Sequence, residues 1–83
     1  MKSYAARLGV LISIAAEGNF LYVGKLDKHL EEWDVGQDVI DELISRRHLE
    51  RKLGLDREEI ILITFEGKDW VRNRLKQIEA PSY

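Results

Sequence analysis

Leu49-Glu50-Arg51-Lys52-Leu53, a polar gap, then Ile60-Ile61-Leu62-Ile63-Thr64-Phe65-Glu66-Gly67-Lys68 is the stretch that decides the fold. In its first part Leu49, Arg51 and Leu53 alternate with Glu50 and Lys52, the two-residue period of a strand. Ile60 to Ile63 reads as a second strand by its β-branched content. Between them Gly54 to Glu59 is a polar turn that carries Leu55, so the strands form a hairpin. At Thr64 the period changes from two to helical. Gly67 is expected to begin a last helix, with Trp70, Val71, Leu75 and Ile78 as its apolar positions. Pro81 and the residues after it are expected to fray.

Upstream of the hairpin, Asp34 to Arg47 reads as a helix capped by Asp34. Val35, Val39, Ile40, Leu43 and Ile44 fill its inner face. Gln37, Asp38, Asp41, Glu42 and Ser45 are left pointing outward. Before it, Gly24 opens a helix from Lys25 to Trp33, in which Leu26, Leu30 and Trp33 form one stripe. Phe20 to Val23 is short and β-prone, and is expected to lie as a third strand beside the hairpin. The chain starts with a helix from Tyr4 to about Glu17, capped by Ser3 and closed at Gly18 in a left-handed conformation.

That first helix is apolar on most sides, through Tyr4, Leu8, Val10, Leu11, Ile12 and Ile14. Ala5, Gly9, Ser13 and Ala16 form a small-residue strip that lets another backbone approach. Two readings follow. Either a second apolar face meets a second copy of the chain, or this is the central core helix wrapped by the others. No repeat and no linker interrupts the chain, so residues 1–83 read as one domain with an ordered core over about 3–79.

Eighty-three residues allow one small domain, and 45% hydrophobic with 34% charged residues suits a soluble globular protein. Cysteine is absent, so neither a disulfide nor a thiolate metal site is available, which fits a reducing, cytoplasmic setting. Lys2, Arg7 and then Leu8 to Ala16 resemble a short signal peptide, with Ser13-Ile14-Ala15 at the cleavage position. The run falls short of the roughly 20 residues a bilayer span needs, and cleavage would remove the first helix of the domain. No membrane association is therefore expected.

The net charge of −2 gives no global attraction to nucleic acid, but the charges are segregated. From Asp27 to Glu42 the acids Asp27, Glu31, Glu32, Asp34, Asp38, Asp41 and Glu42 stand against Lys28. From Ile44 to Arg57 the bases Arg46, Arg47, Arg51, Lys52 and Arg57 outnumber Glu50 and Asp56.

His29 and His48 are the only histidines, and no H-E-x-x-H spacing exists, so a metal site is not expected. His29 reads as part of a solvated helix face, and His48 as part of the turn before the hairpin. Gly24-Lys25 lacks the glycine spacing of a phosphate-binding loop, and no Ser/His/Asp arrangement is present. No cofactor and no catalysis are expected. Trp33 and Trp70 lie on apolar stripes and read as core residues.

The stretch Val39-Ile40-Asp41-Glu42-Leu43-Ile44-Ser45-Arg46-Arg47-His48-Leu49-Glu50-Arg51 resembles the recognition helix and first wing strand of MarR-like and PadR-like winged-helix regulators. Ile63-Thr64-Phe65-Glu66-Gly67-Lys68 is similar to their junction into the last helix. The resemblance covers roughly residues 5 to 79. It implies an α+β winged helix-turn-helix with a three-helix core, a hairpin wing and a C-terminal helix. It also implies DNA binding in transcription regulation, as a homodimer through the first and last helices. On that reading Gln37 reads bases, while Arg46, Arg47, Arg51, Lys52 and Arg57 hold phosphates.

The chain departs from the family pattern in ways that matter. Arg47-His48 stand where an Arg-Gly pair is usual, helix three carries Asp38, Asp41 and Glu42 outward, and the hairpin tip holds Asp56, Glu58 and Glu59. Acids on a groove-facing surface oppose the phosphate charge of DNA. The alternative is that the bases pair with the acids of helices two and three and solubilise the hairpin, with Arg46 and Arg47 also favoured by the helix dipole. Asp38, Asp41 and Glu42 would then form a surface for a basic protein partner.

Overall fold

A computed structural model describes residues 2–79, and side chains over 4–77. The elements in chain order are α1 (Lys2–Ala16), β1 (Phe20–Tyr22), a 3-10 turn (Val23–Lys25), α2 (Leu26–Trp33), α3 (Gln37–Ser45), β2 (Leu49–Leu53), β3 (Glu59–Ile63) and α4 (Phe65–Glu79). The described residues thus form an α+β domain with four α-helices and a three-stranded antiparallel sheet, strand order β1-β3-β2. The expected fraying after Pro81, the Ser3 side chain and the place of Ile78 lie outside what is described.

The hairpin forms with Leu49 opposite Ile63 and Leu53 opposite Glu59. Phe20–Tyr22 adds to the far side of β3, with Leu21 opposite Ile61. Val10, Leu11 and Ile14 of α1, Leu26 and Leu30 of α2, and Ile40 and Leu43 of α3 pack on Leu21, Leu49, Ile61 and Ile63 of the sheet. These are the apolar stripes of period 3.6 and 2 that the sequence carries, brought together in one cluster. The alternation in β2 breaks down toward the turn: Leu53 is 69% exposed, because the hairpin runs out past the helices.

Successive helices end in the same way. The residue after the last turn takes a left-handed conformation, and its own N–H and that of the following residue return to the helix. In α1, Gly18 (φ 101) donates to Ala15 and Asn19 to Ile14. In α2, Asp34 (φ 57) donates to Glu31 and Val35 to Leu30. In α3, Arg47 (φ 65) donates to Ile44 and His48 to Leu43.

These closures correct several sequence-based boundaries. Asp34 ends α2 instead of capping α3, whose N-cap is Gly36 with no side-chain cap bond. α1 begins at Lys2, so Ser3 lies inside its first turn. Val23 leaves the strand for the 3-10 turn that leads into α2. Gly67 does not begin α4. Thr64 does, since its hydroxyl accepts the Gly67 N–H at 3.0 Å, the N-cap bond to the third helical residue. The same hydroxyl donates to the Arg47 carbonyl at 2.6 Å. Gly67 is instead where α4 crosses the α3–β2 junction, and a Cβ there would collide with the His48 carbonyl oxygen.

Candidate nucleic-acid interface

The outward residues of α3 divide by what holds them. Gln37 donates through Nε2 to Asp41 Oδ1 at 3.3 Å, one helical turn away. Asp38 is exposed and lies beside Gly36. Glu42 does not belong to a free acidic face. Its Oε2 meets Arg46 Nε at 3.0 Å and Arg7 Nε at 3.3 Å, so one carboxylate joins α1 to α3. Arg7 sits at i−4 and i−7 from Leu11 and Ile14, and only 12% of its side chain is exposed. A cation on the core stripe is the sequence signal for this bridge, and the apolar character of the rest of α1 hides it.

The bases expected to hold phosphates are likewise divided. Arg46 is taken up by Glu42. Among the described residues Arg47, Arg51, Lys52 and Arg57 make no ion pair within 4.0 Å, and all are exposed. Pairing of the bases with helix-three acids therefore holds for Arg46 and not for the hairpin cations. Arg47 and Arg51 share a groove of about 480 Å³ at the meeting of α3, β2 and α4, with Ile44, Leu49, Glu50, Thr64 and Glu66. Lys52 lies on the opposite sheet face, beside Ile60.

Arg57 is set by the hairpin turn. Gly54 N–H bonds Glu58 O at 2.8 Å and Arg57 N–H bonds Gly54 O at 3.0 Å, which leaves Leu55, Asp56 and Arg57 as the loop. Its last position is left-handed, and Arg57 occupies it at φ 65. Asp56 is part of this scaffold: its Oδ1 accepts the Glu58 N–H at 3.0 Å, and its Oδ2 accepts the Tyr22 hydroxyl at 3.1 Å. That bond and the Asp56 charge raise the Tyr22 pKa above 10.0.

Behind the groove stands Trp70 of α4. His48 lies over it at 5.2 Å, Tyr4 meets it edge-on at 5.7 Å, and the guanidinium groups of Arg7 and Arg74 sit 5.7 and 5.5 Å from its centre. The indole is half-buried among cations as well as core residues. His48 Nδ1 is buried without a hydrogen-bond partner. Burial, then the charges of Arg46 and Arg7, lower the His48 pKa below 6.5, against a smaller opposing effect of Glu66. His29 is half-buried and stacked on Trp33 at 5.2 Å, rather than set on a solvated face.

On α1, the small-residue positions Ala5 and Gly9 are exposed, as is Ile12, while Val10, Leu11 and Ile14 face the core. No helix among the described residues is long and apolar enough to cross a membrane. Comparison of the chain with protein-family models, with curated proteins and with solved structures finds no match.

Proposed function

We propose that the domain is a winged helix-turn-helix that binds duplex DNA, with α3 toward the major groove and the β2–β3 hairpin as the wing. The order of helices and strands supports the architecture. One observation carries the DNA reading. Arg47 and Arg57 both occupy left-handed positions at φ 65, where glycine is the easy residue, and both are exposed and without an ion pair among the described residues. A non-glycine residue there costs on the order of 1 kcal/mol. Charged side chains held at such positions with no ion pair among the described residues are suited to an outside anion, and the spaced phosphates of DNA are one. Arg51 adds a third cation beside Arg47, Lys52 adds one on the other face of the hairpin, and Gln37 is the base-reading side chain once it releases Asp41.

The test uses opposite signs. Replacing Arg47 and Arg57 by Gly should stabilise the fold and weaken binding to mixed-sequence duplex DNA. The slope of log affinity against log salt should drop by about 1.8, roughly 0.9 for each phosphate no longer neutralised. No binding by the wild type at tens of micromolar in low salt would end this reading. The exposed acids Asp38 and Asp41 favour a second reading, a winged helix that contacts a basic protein. Asp38→Asn with Asp41→Asn should tighten non-specific DNA binding on the first reading, and on the second should weaken capture of a Lys/Arg-rich peptide.

A further inference from the structure

We propose that the groove between the outer face of the sheet and the hairpin turn binds an arginine side chain of a partner protein. The helices cover the face of the sheet that carries Leu21, Leu49, Ile61 and Ile63. The other face is apolar as well. Phe20 and Tyr22 alternate with Leu21 and stand opposite Leu62 and Ile60, which alternate with Ile61 and Ile63. Phe20 and Tyr22 remain 40% and 38% exposed, with their rings edge to face at 5.7 Å. At the turn, Phe20, Tyr22, Ile60, Gly54, Leu55 and Asp56 line a groove of about 290 Å³. Leu55 is fully exposed, an apolar side chain with no place in the core.

An apolar groove with a fixed carboxylate selects a cation that also has apolar surface. Asp56 is held from both sides: Oδ1 accepts the Glu58 N–H at 3.0 Å and Oδ2 accepts the Tyr22 hydroxyl at 3.1 Å. Each oxygen keeps one further acceptor site, and two is the number a guanidinium fork uses. The carboxylate is already ordered, so binding has little left to immobilise. An arginine brings a methylene stem suited to Ile60 and Leu55, and a planar head suited to the rings of Phe20 and Tyr22. Lysine carries a point charge without the fork. The surrounding charge favours the same occupant. Asp56, then burial, then Glu58 raise the Tyr22 pKa, which places Glu58 near the groove as a second acid. Neither Asp56 nor Glu58 has an ion pair within 4.0 Å among the described residues, even with Arg57 between them. The other cations nearby have acids beside them. Lys52, beyond Ile60, shares the outer face of β2 with Glu50, and Lys25 shares a separate recess with Glu17. The groove uses none of Gln37, Arg47 and Arg51, so the proposal stands apart from DNA binding.

Two peptides test this on the isotopically labelled full chain by NMR titration. One is Gly-Leu-Arg-Leu-Gly with blocked ends, and the other carries citrulline, the neutral isostere, in place of arginine. The arginine peptide is expected to shift the amide resonances of Phe20, Tyr22, Asp56 and Ile60 in a saturable way. The citrulline peptide should bind about tenfold more weakly, a comparison that needs no variant. Asp56→Asn keeps an acceptor for the Glu58 N–H but loses the charge, and should bring the two peptides within about twofold of each other. Leu55→Ser leaves the Asp56 bonds in place and should weaken both peptides by roughly threefold. No saturable shift at millimolar arginine peptide, equal binding of the two peptides by the wild type, or shifts centred on Asp38 and Asp41 of α3 would overturn the proposal. So would a chain that sediments as a dimer and becomes a monomer on Leu55→Ser, since a second copy would then fill the groove. Duplex DNA that moves these resonances while the arginine peptide does not would overturn it too.

Discussion

Thr64 and Gly67 together decide how the sheet hands the chain to α4. The Thr64 hydroxyl caps the helix and at the same time holds the Arg47 carbonyl. Thr64→Ala is therefore expected to cost about 1–2 kcal/mol in urea unfolding, and Thr64→Ser well under 1. Gly67 reverses the usual helix rule. Inside a helix, Gly→Ala normally stabilises by about 1 kcal/mol. Here the added methyl would meet the His48 backbone and Ile63, so Gly67→Ala should destabilise by about 1–3 kcal/mol. A more stable Gly67→Ala protein would show that α4 does not cross the α3–β2 junction so closely. The sequence marks this glycine as important, but by periodicity it can only suggest a helix start. The close approach that demands glycine depends on a backbone some nineteen positions away in sequence.

At the scale of elements, the helix ends are the informative feature. Asp34 and Arg47 occupy the left-handed closing position that Gly18 fills in α1. Asp34 also places a negative charge at the C-terminal end of α2, which the helix dipole disfavours by about 0.3–1 kcal/mol. Asp34→Gly should then raise stability by roughly 1 kcal/mol, seen as a shift of the thermal midpoint. Arg47→Gly should gain less, about 0.5 kcal/mol, because the dipole favours its charge. These positions also explain the boundary shifts. An Asp before an apolar helical run is a good N-cap in isolation, and Asp34 has that pattern. The return of Val35 N–H to Leu30 assigns it to the preceding helix instead. Arg47 likewise reads from the sequence as a residue of the helix, and only the backbone angle shows that it takes the turn.

For the molecule as a whole, α1 is held to α3 through Glu42 and to α4 through the Trp70 cluster, and His48 sits where these meet. Since its folded pKa lies below 6.5, the unfolded chain binds more protons in that range. Its contribution is complete above about pH 6.5 and is lost as pH falls through the lowered folded value. Unfolding at about pH 7.5 and about pH 5.5 should show this loss, and His48→Phe, which keeps a ring on Trp70, should flatten the difference. An unchanged pH slope in that variant would count against His48 as its source. Much of the architecture is local information. The two-residue period of Leu49–Leu53 and Ile60–Ile63, the stripes of α1 to α4 and the short run at Phe20 each state their element, because period and side-chain type act over a few neighbours. What the sequence could not decide was which charges remain available. Glu42, Arg46 and Asp56 read as surface groups and are tied into the structure, while Arg47, Arg51, Lys52 and Arg57 stay unpaired among the described residues. Ion pairs join residues brought close by packing, such as Arg7 and Glu42, and no periodicity encodes a distance across thirty-five positions of chain.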